Sequence, residues 1–311
     1  MLSRVAESLY WMARYVERAE NVARFLDVTN HLSLDLPGTT ESLWEALIAV
    51  MADEKPYAER FDAISEANVL HFMVCDTANP NSLISCLRAA RENARQVREV
   101  ITNEMWLQLN TLFHLVRTAA DQGLPSVTEA LYREIIMGSH LFFGLMSGCL
   151  PHNEAYQFAQ LGRFIERADK TSRIIDVKYF ILLPRPSDVG SPIDANQWRA
   201  VLKSVSAYET YWKRRARIEP ALVIEFLLAE RDFPRAVLFC LIRSRDYLQR
   251  VLSDMPEARE REESLEIASR LVHELTATPV NELIGRGLHE YIDQMQRDLN
   301  ALHSGIAERF F

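Results

Sequence analysis

Apolar residues recur along most of the chain at intervals of three and four positions, which is the spacing of one face of an α-helix. In the opening helix this face is a set of eight residues: Leu9, Met12, Tyr15, Val16, Ala19, Val22, Ala23 and Leu26. No stretch alternates with a period of two for long enough to form a sheet. The pattern predicts an all-α fold of long helices joined by short loops.

The sequence of the opening helix occurs twice. The stretch RYVERAENVARFLDV at 14–28 returns as RFIERADKTSRIIDV at 163–177. Beyond it an offset of 154 residues holds for several pairs: Trp44/Trp198, Tyr57/Tyr211, Pro80/Pro234 and Cys86/Cys240. We predict a tandem duplication of a helical-bundle unit of about 150 residues, a usual domain size. Copy one is 1–150 and copy two is 151–311, and we expect them to pack about a pseudo-twofold axis. They form either two domains or one compact domain.

The two copies of this helix keep their charges more faithfully than their apolar residues. A like-charged pair at i,i+4 is mildly unfavourable on a helix, and surface charges usually change at little cost in stability. The retained charges are therefore expected to have a role, either in an interhelical ion-pair network or in contact with an anionic group from outside. The candidate catalytic carboxylates are Glu17 and Glu166, and the candidate anion- or partner-binding residues are Arg14, Arg18, Arg163 and Arg167.

Composition narrows the function classes. The net charge of −8 over 311 residues lacks the basic footprint of a nucleic-acid-binding protein. Most of the basic residues are Arg, which suits planar, paired contacts. Four widely separated Cys form no disulfide framework, and the opening residues lack the apolar core of a signal peptide. We therefore expect a cytoplasmic protein that binds no nucleic acid.

One segment, 135–153, contains no Asp, Glu, Lys or Arg. Gly, Ser and Pro interrupt it, so it falls short of the ~20 predominantly apolar residues that cross a bilayer. We expect it to be a buried central helix, with no membrane association. The capping box Ser126-Val-Thr-Glu129 predicts that its helix begins near residue 126.

Motifs for metals and cofactors are missing from the sequence. No Glu-x-x-His pair and no two His at i,i+4 occur, so we predict no metal. No P-loop, GxGxxG or GxSxG occurs either, and we predict no cofactor. His140 is expected to be a hydrogen-bonded core residue. Cys86 and Cys240 are expected to be small buried hydrophobic residues rather than nucleophiles.

The opening MLSRVAESLYWMARYVERAENVARFLDV and the later LGRFIERADKTSR resemble the alpha-E domain family, over essentially the whole chain. This is a family of bacterial all-helical proteins with a Glu-Arg signature and largely without a characterised function. The resemblance places the signature at Glu17, Arg18, Glu166 and Arg167, each pair preceded by Arg14 or Arg163. It also implies two partners, a circularly permuted ATP-grasp protein and a transglutaminase-like protein, and hence an ATP-driven peptide or amide ligation system.

Three functions remain open at this point. The first is a helical scaffold or partner protein of an ATP-grasp peptide or amide ligase, in which the Glu-Arg helices form a central ion-pair network or a carboxylate-binding site. The second is an enzyme that acts on a peptide- or amino-acid-like substrate in a cleft between the copies, with Glu17 or Glu166 as general base. The third is a purely structural adaptor that forms a homo-oligomer.

Overall fold

The computed structural model describes residues 1–35, 40–180, 191–253 and 263–311. Within these ranges the chain is helical and contains no strand, so the all-α prediction is confirmed. The helices are α1 Ser3–Asp35, α2 Thr40–Met51, α3 Glu54–Ala58, α4 Glu66–Leu70, α5 Leu83–Gln96, α6 Asn103–Gln122, α7 Glu129–Cys149, α8 Glu154–Phe180, α9 Pro192–Ser204, α10 Tyr208–Arg215, α11 Pro220–Ala229, α12 Val237–Ser253, α13 Glu263–Ala277 and α14 Val280–Phe310. A π-helical turn, His71–Cys75, follows α4, and a 3₁₀ turn, Leu124–Ser126, precedes α7.

The helices form two compact units. The first unit is Trp11–His152, and the second unit combines Met1–Tyr10 with Asn153–Phe311. In the first unit α6 packs against α5, α7 and the π-helical turn. In the second unit α12 packs along α8, while α14 packs against α8, α11 and α13. That these units arose by duplication, as copies 1–150 and 151–311, stays a prediction.

The same local contacts occur in both units at the 154-residue offset. The Tyr57 hydroxyl donates to the carbonyl of Ala63 at 3.0 Å, and the Tyr211 hydroxyl donates to the carbonyl of Arg217 at 2.9 Å. Further matched contacts are the ring pairs Tyr57–Phe72 and Tyr211–Phe226, the ion pairs Arg60–Asp76 and Arg214–Glu230, and the thiol contacts of Cys86 with Pro80 and Cys240 with Pro234. The predicted core roles of both cysteines are confirmed, because neither is exposed.

The start of α7 differs from the capping-box prediction. Ser126 lies in the 3₁₀ turn, where its hydroxyl donates to the carbonyls of Ala119 and Gly123, each at 2.7 Å. Because that hydroxyl closes the preceding turn, the cap passes to Thr128, whose side chain accepts from the backbone N–H of Leu131 at 3.4 Å. The helix therefore begins at Glu129, with its N-cap two residues after the predicted cap Ser126.

The uncharged segment is only partly buried, which corrects its prediction as a central helix. One face of α7 buries Phe142, Phe143 and Met146, whereas Met137 and Leu141 on the other face are 61% and 52% exposed. Low charge had suggested full burial, yet small and apolar residues also occur on exposed helix faces. Across the described ranges, no helix combines the length and the apolar content that crossing a membrane requires.

Two glycines of α7 offer a matched test of this packing. A Cβ added at Gly138 would lie 2.5 Å from Cδ2 of Leu112 and 2.9 Å from Nε2 of Gln108, whereas nothing lies within 4 Å at Gly144. Gly138→Ala should therefore destabilise the protein by about 1–2 kcal/mol through overpacking. Gly144→Ala should stabilise it by up to ~1 kcal/mol through helix propensity. Urea denaturation measures both changes, and equal shifts would contradict the close packing of α6 on α7.

Candidate functional site

The first Glu-Arg group lies in the middle of α1, inside the first unit. Its apolar neighbours recur with helical spacing and face the core, which carries the group into the interior. Glu17 has no solvent exposure, Arg14 is 8% exposed, and Arg18 is half-buried. A carboxylate in this position must be balanced by partners within the protein, since burying an unpaired charge is very costly.

Arg18 is tied to the turn that precedes α5. Its guanidinium Nη1 donates to Oδ1 of Asn81 at 2.8 Å, and Nδ2 of Asn81 donates to Oδ1 of Asp53 at 2.7 Å. The guanidinium also lies 5.5 Å from the ring centre of Tyr15, and that of Arg14 lies 4.9 Å from the ring of Trp11. Arg18 thus links α1 to a turn more than sixty residues further along the chain.

The second Glu-Arg group occupies the matching place in α8, inside the second unit. Glu166 has no exposure, Arg167 is 4% exposed, and Arg163 is half-buried. Nη1 of Arg167 donates to the carbonyl of Pro234 at 3.2 Å, in the turn that precedes α12. One turn further along α8, the Thr171 hydroxyl donates to the carbonyl of Arg235 at 3.0 Å.

Each Glu-Arg group therefore connects its long helix by a hydrogen bond to the turn before another helix, α1 to the turn before α5 and α8 to the turn before α12. The anchor differs between the units, a side-chain amide of Asn81 in the first and a backbone carbonyl of Pro234 in the second. The structure brings Arg14, Glu17 and Arg18 together on α1, and Arg163, Glu166 and Arg167 together on α8. In both units the arginine that follows the buried glutamate makes the anchoring contact.

A further buried pair follows one turn later on α1. Nε and Nη2 of Arg24 donate to Oε1 of Glu20 at 2.9 and 2.8 Å, and Nη2 also lies 2.8 Å from Nε2 of His140. Glu20 has no exposure and Arg24 is 7% exposed. On an isolated helix a pair with this i,i+4 spacing contributes little, but here tertiary packing buries it. His140 is hydrogen-bonded as predicted, but its side chain is 43% exposed, so its prediction as a core residue was wrong.

The equivalent carboxylate in α8, Asp169, has two cations. Arg173 Nε lies 2.9 Å from Oδ1, and Lys170 Nζ lies 3.2 Å from Oδ2. Burial by itself raises the pKa of Asp169, but the charges of Lys170 and Arg173 outweigh burial and hold the pKa below its ordinary value. Asp169 therefore stays ionised inside the second unit.

One buried ion pair was not foreseen from the sequence. Lys178 Nζ donates to Oδ1 of Asp194 at 2.8 Å, with exposures of 0% and 1%, and the ammonium lies 5.1 Å from the ring of Trp198. Burial lowers the pKa of Lys178, and the adjacent carboxylate partly restores it. The two residues are sixteen positions apart on α8 and α9, so neither helical spacing nor the repeat could reveal the pair.

A groove in the first unit lies away from these charges. A groove of about 720 Å³ runs between α6 and α7 and is bordered by residues that include Leu107, His114 and Glu134. None of the six predicted Glu and Arg residues borders it. The six residues therefore lie apart from this groove, and Arg18 and Arg167 form contacts within their own units.

The comparisons with known proteins identify the family. The profile of the Alpha-E family, described as a predicted alpha-helical domain with a conserved ER motif, matches residues 1–311. The chain belongs to the Alpha-E family. It is 26% identical over 273 residues to an uncharacterised protein of Mycobacterium bovis and to uncharacterised proteins of Mycobacterium tuberculosis. The matched region is 81% of this chain but only 30% of each relative. No solved structure matches the chain.

The description of the Alpha-E family mentions an ER motif, and two Glu-Arg pairs of this chain lie in the middle of long helices. This chain carries a Glu-Arg pair with a fully buried glutamate in each unit, Glu17-Arg18 and Glu166-Arg167. A buried carboxylate followed by an anchoring arginine is a strong constraint on helix placement, whether or not it takes part in chemistry. In this Alpha-E chain the glutamates of these two pairs are part of the core.

Arg24 and Arg173 provide a matched test of these ties. Arg24→Met leaves Glu20 buried beside a half-exposed His140 and should cost about 3–5 kcal/mol of unfolding free energy. Arg173→Met should cost about 1–2 kcal/mol, because Lys170 still neutralises Asp169 and the pair is more exposed. Urea denaturation of both variants tests the difference. Equal losses would show that tertiary burial does not set the strength of these pairs.

Proposed function

We propose that this Alpha-E chain is a non-catalytic helical scaffold that serves as the partner of an ATP-grasp peptide or amide ligase. The observation that carries the proposal is the complete burial of Glu17 and Glu166 inside α1 and α8. In this proposal the Glu-Arg helices are internal ties that fix the surfaces on which a partner docks. A scaffold needs such rigidity, since preorganised surfaces bind with a smaller loss of entropy.

The burial weighs against the reading of Glu17 or Glu166 as a general base. A catalytic carboxylate must come within hydrogen-bond reach of the proton it removes, directly or through one water molecule. Neither glutamate reaches the surface, and neither borders the groove between α6 and α7. A substrate would have to open the core of a unit to reach them. The enzymatic alternative therefore ranks below the scaffold.

The arginines favour the same interpretation. A carboxylate-binding site presents guanidinium groups to accessible space, often in bidentate geometry. Arg167 is 4% exposed and donates to a backbone carbonyl, and Arg18 donates to Asn81. Both guanidinium groups therefore donate hydrogen bonds to other parts of the same chain. We propose that the four predicted arginines act mainly as ties and do not form a substrate-binding site.

The tandem duplication belongs to the same proposal. It is supported by equivalent hydrogen bonds within each unit: Tyr57 and Tyr211 each donate to the carbonyl six residues later, and Cys86 and Cys240 each contact the carbonyl of the proline six residues earlier. It is also supported by left-handed residues at the offset of 154, Ala52 with φ 58° and Ser206 with φ 52°. After a duplication, each copy needs its own Glu-Arg group to hold its long helix in place. This explains why both copies retain the charges.

The choice of partner draws on the relatives and on the family resemblance. The chain spans about a third of the length of the curated relatives it matches, so in those proteins the domain shares a polypeptide with other segments. A helical domain that occurs within longer proteins fits a role beside a second activity. The resemblance supplies the chemical class of that activity, ATP-driven amide formation, with a transglutaminase-like protein as a further partner.

Co-expression with the ATP-grasp protein of the same organism tests the proposal. The tagged chain should retain the ATP-grasp protein through affinity and size-exclusion purification, and ADP release should require that protein. The chain alone should release no ADP. Two variants form a matched pair, Glu7→Gln at an exposed position and Glu17→Gln at a buried one. They distinguish loss of ATP-grasp binding through a changed surface from loss through a destabilised core. Turnover by the purified chain alone, or self-association without the ligase, would contradict the scaffold and favour the enzyme or the adaptor respectively.

A further inference from the structure

Three side chains with metal-binding donors converge in the second unit, away from the Glu-Arg group. They are Asp176 on α8 and His289 and Asp293 on α14. One donor atom from each lies within 4.8 Å of the donor atoms of the other two. All three residues are half-buried, so the cluster combines support from the core with access for water or a small ion.

The backbone explains how the donors meet. His289 and Asp293 are four residues apart on one helix and therefore share a face. Gly287 interrupts α14 with φ 112°, just before the turn that carries both. Asp176 comes from α8, which packs against α14, and its Oδ1 lies 2.7 Å from Nδ1 of His289. Two packed helices thus supply the three donors.

We propose that Asp176, His289 and Asp293 bind one divalent transition-metal ion such as Zn²⁺, Co²⁺, Mn²⁺ or Fe²⁺. An imidazole nitrogen favours Zn²⁺ and Fe²⁺ over Mg²⁺ and Ca²⁺, and two carboxylates supply charge and hard oxygen donors. Three protein ligands leave at least one coordination position for water or another ligand. The sequence motifs Glu-x-x-His and paired His do not describe this site. Here His289 and Asp293 at i,i+4 meet an Asp more than one hundred residues earlier in the chain.

The surrounding charges are compatible with a cation. Arg173, three residues before Asp176, is already engaged by Asp169 at 2.9 Å. Arg297 lies 3.6 Å from Asp293, but both side chains are about half exposed, so a metal displaces this contact at small cost. The shortest contact within the cluster is the hydrogen bond between Asp176 and His289. Metal binding replaces that hydrogen bond by a shared ligand shell.

The first unit contains a contrasting set around Asp27, the residue that matches Asp176 in the repeat. Nδ1 of His31 lies 2.7 Å from the backbone carbonyl of Asp27 and 3.9 Å from its Oδ1, whereas Nε2 lies 4.0 Å from Glu129. The two carboxylates therefore face opposite nitrogens of one imidazole. One ion bound to a nitrogen of His31 can therefore be ligated by only one of these two carboxylates. This set serves as a control for the metal-binding experiment below.

Metal titration of the chelator-treated full chain tests the site. Calorimetry with Zn²⁺, and visible absorption with Co²⁺, should show one bound ion per chain. Asp293→Asn should weaken binding by at least about tenfold, because loss of even an outer-shell partner costs 10- to 100-fold. His289→Ala should weaken binding further, and Asp27→Asn should leave it unchanged. Zn²⁺ should raise the melting temperature of the wild type and of Asp27→Asn, as for any ligand that binds the native state.

Asp293→Asn is the decisive variant, because the Asp293 side chain is 47% exposed and its replacement should leave the fold intact. Circular dichroism confirms that it folds. If Asp293→Asn binds Zn²⁺ as tightly as the wild type, the three donors do not share an ion and the proposal fails. The proposal also fails if the wild type binds Zn²⁺ no more tightly than His289→Ala, since His289 and Asp176 would then form a simple ion pair.

Discussion

A carboxylate without solvent contact must have its charge balanced inside the protein, and this constraint governs α1 and α8. Glu17 and Glu166 have no exposure, and each precedes an arginine that reaches the turn before another helix. Removing one partner from such an arrangement is far more costly than exchanging an exposed charge. The helices are therefore fixed in place by their polar residues as well as by their apolar faces. The buried pairs Glu20–Arg24 and Lys178–Asp194 extend the same principle along both helices.

This organisation bears on function because, under the scaffold proposal, the Glu-Arg residues hold the helices in place and do not contact a substrate. In that proposal a partner docks on other surfaces, such as the groove between α6 and α7, which exposed Leu107 borders. The relatives in Mycobacterium are about three times longer than the matched region, which fits a domain that works beside others. The proposed metal site uses α14 and the C-terminal part of α8, and it is independent of the scaffold role.

The helical class and most core residues could be predicted from period and composition, because both depend on local spacing. Trp44, Trp198, Tyr57 and Tyr211, which match in the repeat, are all buried. Burial of charge could not be predicted in this way, since Glu20–Arg24 has the same i,i+4 spacing as an exposed pair. The cap of α7 was misplaced because both Ser126 and Thr128 can cap a helix, and the hydrogen bonds of Ser126 to the preceding turn leave the cap to Thr128. Asp176, His289 and Asp293 meet through tertiary packing, which no local pattern encodes.

Thermal melting of Glu17→Gln, Glu166→Gln and the double variant tests the central claim, that these glutamates are structural ties. Glu7→Gln, an exposed glutamate on the same helix, is the control. Each buried substitution should cost about 3–5 kcal/mol, and each kcal/mol lowers the melting temperature of a chain of this size by about 2–4 °C. Glu7→Gln should melt with the wild type. A double variant whose melting temperature is unchanged or raised would contradict the account, because charges kept at a cost to stability serve a function outside the fold.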